Sequence, residues 1–420
     1  MTECDRTIRL YYLFSITRFP VFWGTIIITY IMEVGQMTLS EVYNFEMWCV
    51  IIVAALQVPT GAYADLVGRV RALKIGLVFL ILQGIAFVLA DGPFLIWVSN
   101  ILWAIGFSFA SGADSAFLYD TLLDYGREKE FRKIQGRALA YALALTAVLA
   151  PLAGHLAAWN IRAPLMADVV ILCIGLFFAC KLSEPAHHTQ GTKRSAGRQI
   201  CLGAREVATH PRIIWLIAFM VTIAVTGKLW FFTYNPYFKH VGMPIHQFGY
   251  LFCLMNVIAA TSGYYADSQA KRLSSKQSVT FILLAIAIPI WLMGAWVSKG
   301  AALLVLFQQW VRGYLKPFVD GLFQSEVASD KRATVASVQS MAAGLLEVLC
   351  LAWFSKVTEE HTLPVALQGL GITALAVGLV LIATYGKVFK ENDSEATKGD
   401  AAEATLSLES ESEVRKTANM

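Results

Sequence analysis

The sequence predicts an all-α integral membrane protein with twelve transmembrane helices, and three observations lead to that prediction. Apolar residues make up 57% of the 420 residues and charged residues 15%, whereas soluble proteins average about 45–50% and about 25%. The apolar residues fall into runs of about 20, the length that crosses a bilayer as a helix. Loops that contain many Lys and Arg residues alternate along the chain with loops that contain few. This composition excludes a disordered chain and a single soluble domain.

Each predicted segment is an apolar run that ends in a polar or glycine-containing loop. In chain order, segments 1 to 12 are 10–32, 43–63, 72–90, 94–121, 136–158, 162–182, 212–235, 246–266, 278–297, 300–327, 333–355 and 363–386. Residues 1–182 are the predicted N-terminal six-helix bundle, and residues 212–386 the C-terminal one. Residues 183–211 form a polar, basic loop between them. Residues 387–420 form an acidic tail that is predicted to be disordered.

The distribution of Lys and Arg predicts the orientation of the chain in the membrane. Most of the 34 positive residues lie at the chain ends and in the loops after even-numbered segments. The loops after odd-numbered segments carry only Arg162, Lys239, Lys299 and Lys356. Because positively charged loops stay on the cytoplasmic side, we expect a multi-pass inner or plasma membrane protein with both termini cytoplasmic. We expect it to be a monomer.

The two halves of the chain repeat a short pattern. Gly61-Ala62-Tyr63-Ala64-Asp65 ends segment 2, and Gly263-Tyr264-Tyr265-Ala266-Asp267 ends segment 8. A basic residue follows each aspartate four residues later: Arg69 in the first half and Lys271 in the second. Two similar halves joined by a long loop predict parallel repeats about an axis normal to the membrane.

The stretch Gly61-x-x-x-Asp65-x-x-Gly68-Arg69-x-Arg71 resembles the loop signature between helices 2 and 3 of the major facilitator superfamily. The resemblance covers nearly the whole chain: twelve segments, a central loop and a weaker echo in the second half. Residues 111–120 also look like one branch of the bacterial facilitators. The resemblance implies two pseudo-symmetric six-helix bundles and a secondary transporter that exposes one central site alternately to each side of the membrane.

The loop signature also implies a gate. In the family, the aspartate that matches Asp65 holds the cytoplasmic gate shut near the positive N-terminus of helix 11, so Asp65 and Arg69 would favour the outward-open state. Gly61 is expected to let another helix approach closely. The alternative is that Asp65 and Arg69 to Arg71 only fix the loop topology. Asp120 is predicted to pair with Arg127 or Arg137, either in a gate or as a structural contact.

One departure from the family concerns segment 4. Many members carry an arginine there, a few residues before a Gly-x-Gly, but residues 100–106 contain none. A proton-coupling role of that arginine therefore does not carry over.

Segment 10 carries a polar stripe made of Gln308, Arg312, Lys316 and Asp320, each four residues from the next. This spacing keeps the side chains on one helical face. Ionisable groups in a spanning helix usually face the bundle interior or a watery cavity. We therefore expect Gln308, Arg312 and Lys316 to bind an anionic solute. The alternative is a structural stripe in which Lys316 and Asp320 neutralise each other.

Five further residues complete the predicted substrate site: Lys228, Arg18, Asn256, Tyr141 and Trp103. Arg18 has an alternative interpretation, in which its long side chain reaches the cytoplasmic surface. For Tyr141 and Trp103 the alternative is an ordinary contact between helices.

Two carboxylates are predicted to carry protons, Glu347 in segment 11 and Asp114 in segment 4. A buried carboxyl group can hold and release a proton near neutral pH. In the alternative interpretation, each is a permanently charged partner of Arg312, Lys316 or Lys228. The half-chain offset of the repeat also places Asp114 and Lys316 at matching positions of the two halves, which suggests that both face the central cavity.

Segment 1 is predicted to be one continuous helix whose polar seam faces the interior. The seam consists of Tyr11, Ser15, Arg18, Phe22, Thr25 and Thr29. Asp168 in segment 6 is expected to pair with Arg162 or with Arg18, and His155 is expected to be a surface or packing residue.

Catalytic signatures are absent from the sequence. It contains no G-x-x-x-x-G-K-[ST] loop, no H-E-x-x-H and no G-x-S-x-G. We therefore expect no enzyme activity, no catalytic residue, no cofactor, no metal and no nucleic-acid partner. The leading hypothesis is proton-coupled transport of a small polar organic solute that bears a carboxylate or another anionic group. The alternatives are proton-driven efflux of a drug-like compound or siderophore, and a non-transporting receptor or sensor.

Overall fold

The computed structural model describes residues 3–185, 210–326 and 332–389, and every regular element in those ranges is a helix. The helices are α1 (Glu3–Thr17), α2 (Ile27–Glu33), α3 (Leu39–Val67), α4 (Arg69–Leu89), α5 (Pro93–Asp124), α6 (Phe131–Trp159), α7 (Ala163–Cys180), α8 (Pro211–His240), α9 (Ile245–Tyr264), α10 (Ala266–Arg272), α11 (Ser275–Ala295), α12 (Val305–Glu326), α13 (Arg332–Glu360) and α14 (Leu363–Phe389). The acidic tail and most of the central loop lie outside the described residues.

Nine helices in the described ranges are long and apolar enough to cross a membrane, which supports a multi-pass membrane protein. The all-helical fold predicted from the sequence is confirmed. Predicted segments 1, 8 and 10 also form helices, α1 with α2, α9 and α12, but these do not meet the same length and hydropathy criteria. The count of twelve spans stays a prediction.

Local sequence explains where several helices begin. Thr38 and Glu41 form a capping box at the start of α3: the Thr38 amide donates to the Glu41 carboxylate at 2.7 Å, and the Glu41 amide donates to the Thr38 hydroxyl at 3.3 Å. Pro93 lies in the first turn of α5, where a missing amide hydrogen costs nothing. Gly68 separates α3 from α4 with φ of +127°, a conformation that favours glycine.

Contacts between loops define two ends of the helix bundle. At the end where α1 begins, Arg127 pairs with Asp5 at 2.9 Å, so the connection between α5 and α6 lies beside the start of α1. We call this the terminal end. At the opposite, distal end, the Gly92 amide donates to the Val34 carbonyl at 3.0 Å, which joins the connections after α2 and α4.

The two halves of the chain, residues 3–185 and 210–389, are in close contact near the distal end. The hydroxyl oxygens of Ser40 in α3 and Ser355 in α13 are 2.9 Å apart. Tyr43 of α3 donates to the Leu229 carbonyl of α8 at 2.7 Å. A Cβ atom at Gly154 of α6 would lie 2.6 Å from a carbonyl oxygen of α9, so these two backbones touch. We call these three contacts the distal seam.

The terminal end is built differently. Among the described residues, no hydrogen bond or ion pair joins the two halves there; the contacts stay within one half. For example, Arg212 at the start of α8 donates to the Val388 carbonyl of α14 at 3.2 Å. The described part of the molecule is therefore closed by polar contacts at the distal end and not at the terminal end.

The prediction of one continuous helix for segment 1 is wrong. The chain leaves helical geometry after Thr17, makes a short 3₁₀ turn at Trp23–Thr25, and becomes α-helical again at Ile27. Pro20 lies in the break and has no amide hydrogen to donate. The polar seam predicted from uninterrupted helical spacing therefore does not continue past Arg18.

Asp168 of α7 stabilises this break, so its predicted pairing with Arg162 or Arg18 is also wrong. Its carboxylate accepts hydrogen bonds from three backbone amides, those of Val21 at 2.6 Å, Phe22 at 2.9 Å and Trp23 at 2.8 Å. The break leaves these amides without helical partners, and a buried amide needs an acceptor. Asp168 supplies it for all three.

Candidate functional site

An aromatic cavity lies between the two halves, on the inner side of the distal seam. Its walls come from α2, α3, α4, α5 and α8 and from the turn after α1. The lining residues are Trp23, Ile27, Ile28, Ile31, Phe45, Glu46, Cys49, Phe87, Asn100, Trp103, Phe231 and Phe232. Trp23 and Trp103 lie with their ring centroids 4.7 Å apart. The break in segment 1 thus places Trp23 against Trp103, which was predicted to belong to the substrate site.

A cluster of three charged side chains borders this cavity, and we call it the Lys228 cluster. Lys228 of α8 forms an ion pair with Glu46 of α3, and its Nζ lies 3.3 Å from Oε1 of Glu347 in α13. The cluster thus joins one helix of the first half to two helices of the second half. Because two carboxylates surround one ammonium group, Lys228 is not available as an unpaired cation in this conformation.

Arg312 of α12 has a different environment. One of its guanidinium nitrogens donates to Oδ1 of Asn256 at 2.8 Å, and no described carboxylate forms an ion pair with it. The Arg312 side chain is accessible to solvent, whereas Asn256 is buried. The neutral amide orients the guanidinium without cancelling its charge, so Arg312 keeps donors for an anion.

The two other stripe residues that were predicted to bind the solute lie on either side of Arg312 in sequence. Gln308 is half-buried, and its amide nitrogen is 3.4 Å from the Gly227 carbonyl of α8. Lys316 is exposed. The side chain of Asp320 lies outside the described residues, so the predicted neutralisation of Lys316 by Asp320 stays a prediction.

Arg18 and Asp114 form an ion pair inside the first half. Nη1 of Arg18 lies 2.9 Å from Oδ2 of Asp114, which is 5% exposed. Tyr11 also lies against Asp114. The alternative prediction, in which Arg312, Lys316 or Lys228 is the permanent partner of Asp114, is therefore wrong. Arg18 lies at the point where segment 1 breaks, beside the aromatic wall.

The two predicted aromatic site residues occupy different places. Trp103 lines the aromatic cavity, with its ring centroid 5.9 Å from that of Phe107. Tyr141 of α6 is exposed and packs edge-on against Tyr12 of α1 at 5.4 Å. Tyr141 does not line the aromatic cavity.

The predicted gate residues cluster at the terminal end of the first half. Asp65 pairs with Arg69 one helical turn away, and Nε of Arg69 lies 3.6 Å from Oδ2 of Asp120. Arg127, one of the two partners predicted for Asp120, is bound instead to Asp5 and Glu130. The predicted pairing of Asp120 is therefore wrong: the arginine of the loop signature holds both aspartates.

The remaining motif residues fall into three groups. A Cβ atom at Gly61 would meet nothing within 4 Å, so the predicted close helix approach is wrong in this conformation. Arg71 is exposed. Asp267 and Lys271 belong to α10, but their side chains lie outside the described residues. His155 packs at the distal end, 2.9 Å from the Tyr250 hydroxyl.

Sequence reasoning missed two acidic residues. Glu46 is an acid within segment 2, and the rule that singled out Glu347 applies to it equally. Glu184 follows α7, and its carboxylate accepts hydrogen bonds from the amides of Arg69 and Val70 at the start of α4. A Cβ atom at Gly68 would lie 2.8 Å from that carboxyl carbon. Sequence spacing gives no signal for Glu184.

Known structures resemble this chain over most of its length. The nucleoside transporter NupG gives a TM-score of 0.73 at 12% identity, covering 91% of this chain and 99% of that one. A POT family transporter in complex with a thioalcohol-conjugated peptide gives 0.69 at 12%, covering 91% and 97%. A bacterial homologue of the human lysosomal transporter Spinster, inward-facing and occupied, gives 0.63 at 13%, covering 92% and 96%.

No family model and no curated protein sequence matches the chain. At these identities the structural likeness establishes the fold.

Proposed function

Given that the chain has the fold of major facilitator superfamily transporters, we propose that it is a secondary transporter. It moves a small polar organic solute that bears a carboxylate or another anionic group. Transport follows alternating access, in which the two halves expose a central site first to one side of the membrane and then to the other. The closed distal seam supports this proposal, because alternating access requires one state that is closed on that side.

The observation that carries the choice of solute is the environment of Arg312. Its guanidinium is held by a neutral amide at 2.8 Å and by no described carboxylate. A positive charge in a membrane protein is costly unless it has a partner or a function. A carboxylate on the solute supplies that partner, in the two-pronged geometry that guanidinium favours. Gln308 and Lys316, on the same helical face, extend this binding surface.

A cavity carboxylate couples transport to protons. Glu347 and Asp114 are the two carriers proposed from the sequence, and both lie beside a cation, Lys228 and Arg18 respectively. Movement of such a cation changes the cost of ionising the carboxylate. The terminal end faces the cytoplasm of an inner or plasma membrane, as the positive loops predict. Lys228 and Arg18 thus influence proton binding through their ion pairs with Glu347 and Asp114. Asn256, which holds Arg312, and Trp103, which lines the aromatic cavity, belong to the proposed solute site.

Uptake into proteoliposomes tests the proposal. The panel contains mono- and dicarboxylic acids, dipeptides and nucleosides, each with and without a pH gradient; the last two classes enter because the similar structures are named as peptide and nucleoside transporters. We expect uptake of a carboxylate that increases with the pH gradient. We expect Arg312→Ala to reduce this uptake at least tenfold, because a hydrogen bond to a charged group contributes about 1.5–3 kcal/mol to the binding free energy of the solute.

A matched control is Arg272→Ala, at the end of α10. Arg312→Ala protein that is folded and inserted but takes up the carboxylate at the wild-type rate contradicts the choice of solute. Absence of uptake of any compound by the wild-type protein contradicts transport of these classes.

A second candidate function is proton-driven efflux of a drug-like compound, and the aromatic cavity favours it. The residues that line this cavity are mainly aromatic and aliphatic, which suits an apolar solute, and its volume of about 40 Å³ in this conformation means that it must widen to admit one. Export of an apolar aromatic dye from energised vesicles, insensitive to Arg312→Ala but lost in Trp103→Ala, would select this function over anion transport.

A further inference from the structure

We propose that Glu46 binds the coupling proton and that its ion pair with Lys228 is the latch that keeps the distal end closed. This inference rests on the proposed function, because it assumes that the two halves alternate. It assigns the coupling proton to Glu46 in place of Glu347 or Asp114, and it gives Lys228 a role in conformational coupling.

The geometry of the Lys228 cluster separates the roles of its two carboxylates. Glu46 belongs to α3 of the first half, whereas Lys228 and Glu347 both belong to the second half. The bond from Lys228 to Glu46 therefore crosses between the halves, and the bond from Lys228 to Glu347 does not. Opening the distal end must break the first and can leave the second intact.

A second ion pair also crosses between the halves, and it offers a comparison. Lys239 and Glu33 are 2.7 Å apart at the distal surface, with side chains 56% and 40% exposed. Water screens such a pair, and it contributes little to closure. In contrast, the side chains of Lys228 and Glu46 are 33% and 13% exposed. Breaking this pair leaves a charge in a poorly solvated place, so the pair is the stronger restraint.

Protonation of Glu46 removes that cost. A neutral carboxyl group can leave the ammonium without stranding a charge, and Lys228 remains paired with Glu347 at 3.3 Å. Proton binding at Glu46 and distal opening therefore favour each other. When the seam closes again, the returning ammonium favours the ionised carboxylate. One proton thus binds Glu46 when the distal end opens and is released when the ion pair with Lys228 forms again, with no other reactant.

Few other titratable groups face Glu46. From α8 it faces Lys228, from α13 Glu347, and from α3 the buried thiol of Cys49. The polar residue that α5 contributes to the adjacent cavity is Asn100, which does not titrate. A thiol is neutral at the pH values of transport. Among the described residues, Glu46 is thus the acid of the Lys228 cluster whose ion pair crosses between the two halves.

Distance measurements between spin labels test the latch without a substrate. Labels are placed at Asp91→Cys and Lys299→Cys, two exposed distal positions on opposite halves, in the full chain without its native cysteines. Double electron–electron resonance then gives the distance distribution between pH 5 and pH 8. In the otherwise wild-type protein we expect a short distance at pH 8 and a growing longer population as the pH falls.

Three variants separate the outcomes. We expect Glu46→Gln to populate the longer distance at every pH, Glu46→Asp to restore the pH response, and Glu347→Gln to retain it because the crossing pair remains. Wild-type pH dependence in Glu46→Gln, or loss of the response in Glu347→Gln alone, overturns the assignment to Glu46 and leaves alternating access standing. A single distance in every variant and at every pH overturns alternating access itself, and the latch with it.

Discussion

The distal and terminal ends of this molecule are held together by different kinds of contact. At the distal end, contacts join the two halves: buried hydroxyl groups, as in Ser40–Ser355 and Tyr43–Leu229, and two ion pairs, Lys228–Glu46 and Lys239–Glu33. At the terminal end, charged side chains such as Arg69 and Arg127 pair within the first half. Buried neutral hydrogen bonds are lost when surfaces separate, whereas local ion pairs survive a rigid movement of the half that contains them.

The difference indicates which contacts change during the proposed cycle. Contacts of the distal seam must break for the distal end to open, while the Asp65–Arg69–Asp120 group moves as one unit with the first half. The comparison also predicts how sensitive each region is to substitution. Removing a buried acceptor near the distal end should cost most, removing a helix cap at the terminal end less, and removing an ion pair in a short connection least.

The largest expected effect is at Asp168, which serves three buried amides. Asp168→Ala should lower the free energy of unfolding by about 3 kcal/mol or more, because each unsatisfied buried donor costs about 1–3 kcal/mol. Asp168→Asn keeps one side-chain oxygen and should lose less. Thermal unfolding of the purified protein in detergent measures both. Wild-type unfolding of Asp168→Ala would show that the break in segment 1 does not depend on this carboxylate.

A smaller effect is expected at Glu184, which caps the start of α4. Glu184→Ala should cost about 1 kcal/mol, since it removes an acceptor and a negative charge from the positive end of a helix. Glu184→Gln keeps an acceptor and should cost less. The same unfolding measurement applies. If Glu184→Ala lowered the free energy of unfolding as much as Asp168→Ala, the expectation that substitutions near the distal end cost more would be wrong.

The smallest effect is expected for the half-buried pair of Arg127 and Glu130, which lies in the short connection between α5 and α6. Hydrogen bonds from Arg127 lower the pKa of the Glu130 carboxyl group below its usual 4.5. The contribution of the pair is therefore present above that usual value and disappears as the pH falls through the lowered pKa. The unfolding temperature of Arg127→Ala should differ little from that of the wild type at pH 7, and the difference should be smaller still in high salt. Unfolding temperatures between pH 3 and pH 7 test this.

Much of the fold could be predicted because the length of an apolar run can be read directly from the sequence. Each apolar run that was identified becomes helical, and the capping pair Thr38 and Glu41 is legible from spacing alone. The break in segment 1 could not be predicted in the same way. Its polar residues fit a helical period, and the acceptor that stabilises the broken backbone lies on α7, 147 positions after Val21 in the chain.

The sequence could predict which residues belong to the candidate site, but it could not predict which of their charges form ion pairs. An ionisable residue within an apolar run indicates an interior position, which is how Arg312, Glu347 and Asp114 were selected. Which charges meet depends on helix packing, so spacing did not reveal that Arg18 pairs with Asp114 or that Glu46 reaches Lys228. The environment of Arg312, held by an amide and not by an acid, also depends on a contact between two helices.

Cross-linking the distal seam tests the central claim most directly, namely that the two halves must separate there for transport to occur. Ser40→Cys and Ser355→Cys place two thiols where the hydroxyl oxygens are 2.9 Å apart, close enough for a disulfide to form. With the native cysteines replaced, we expect oxidation to abolish uptake of the carboxylate found in the vesicle panel, and reduction to restore it. Oxidised Ser40→Cys alone should transport normally. Wild-type uptake by the fully cross-linked protein would contradict the claim.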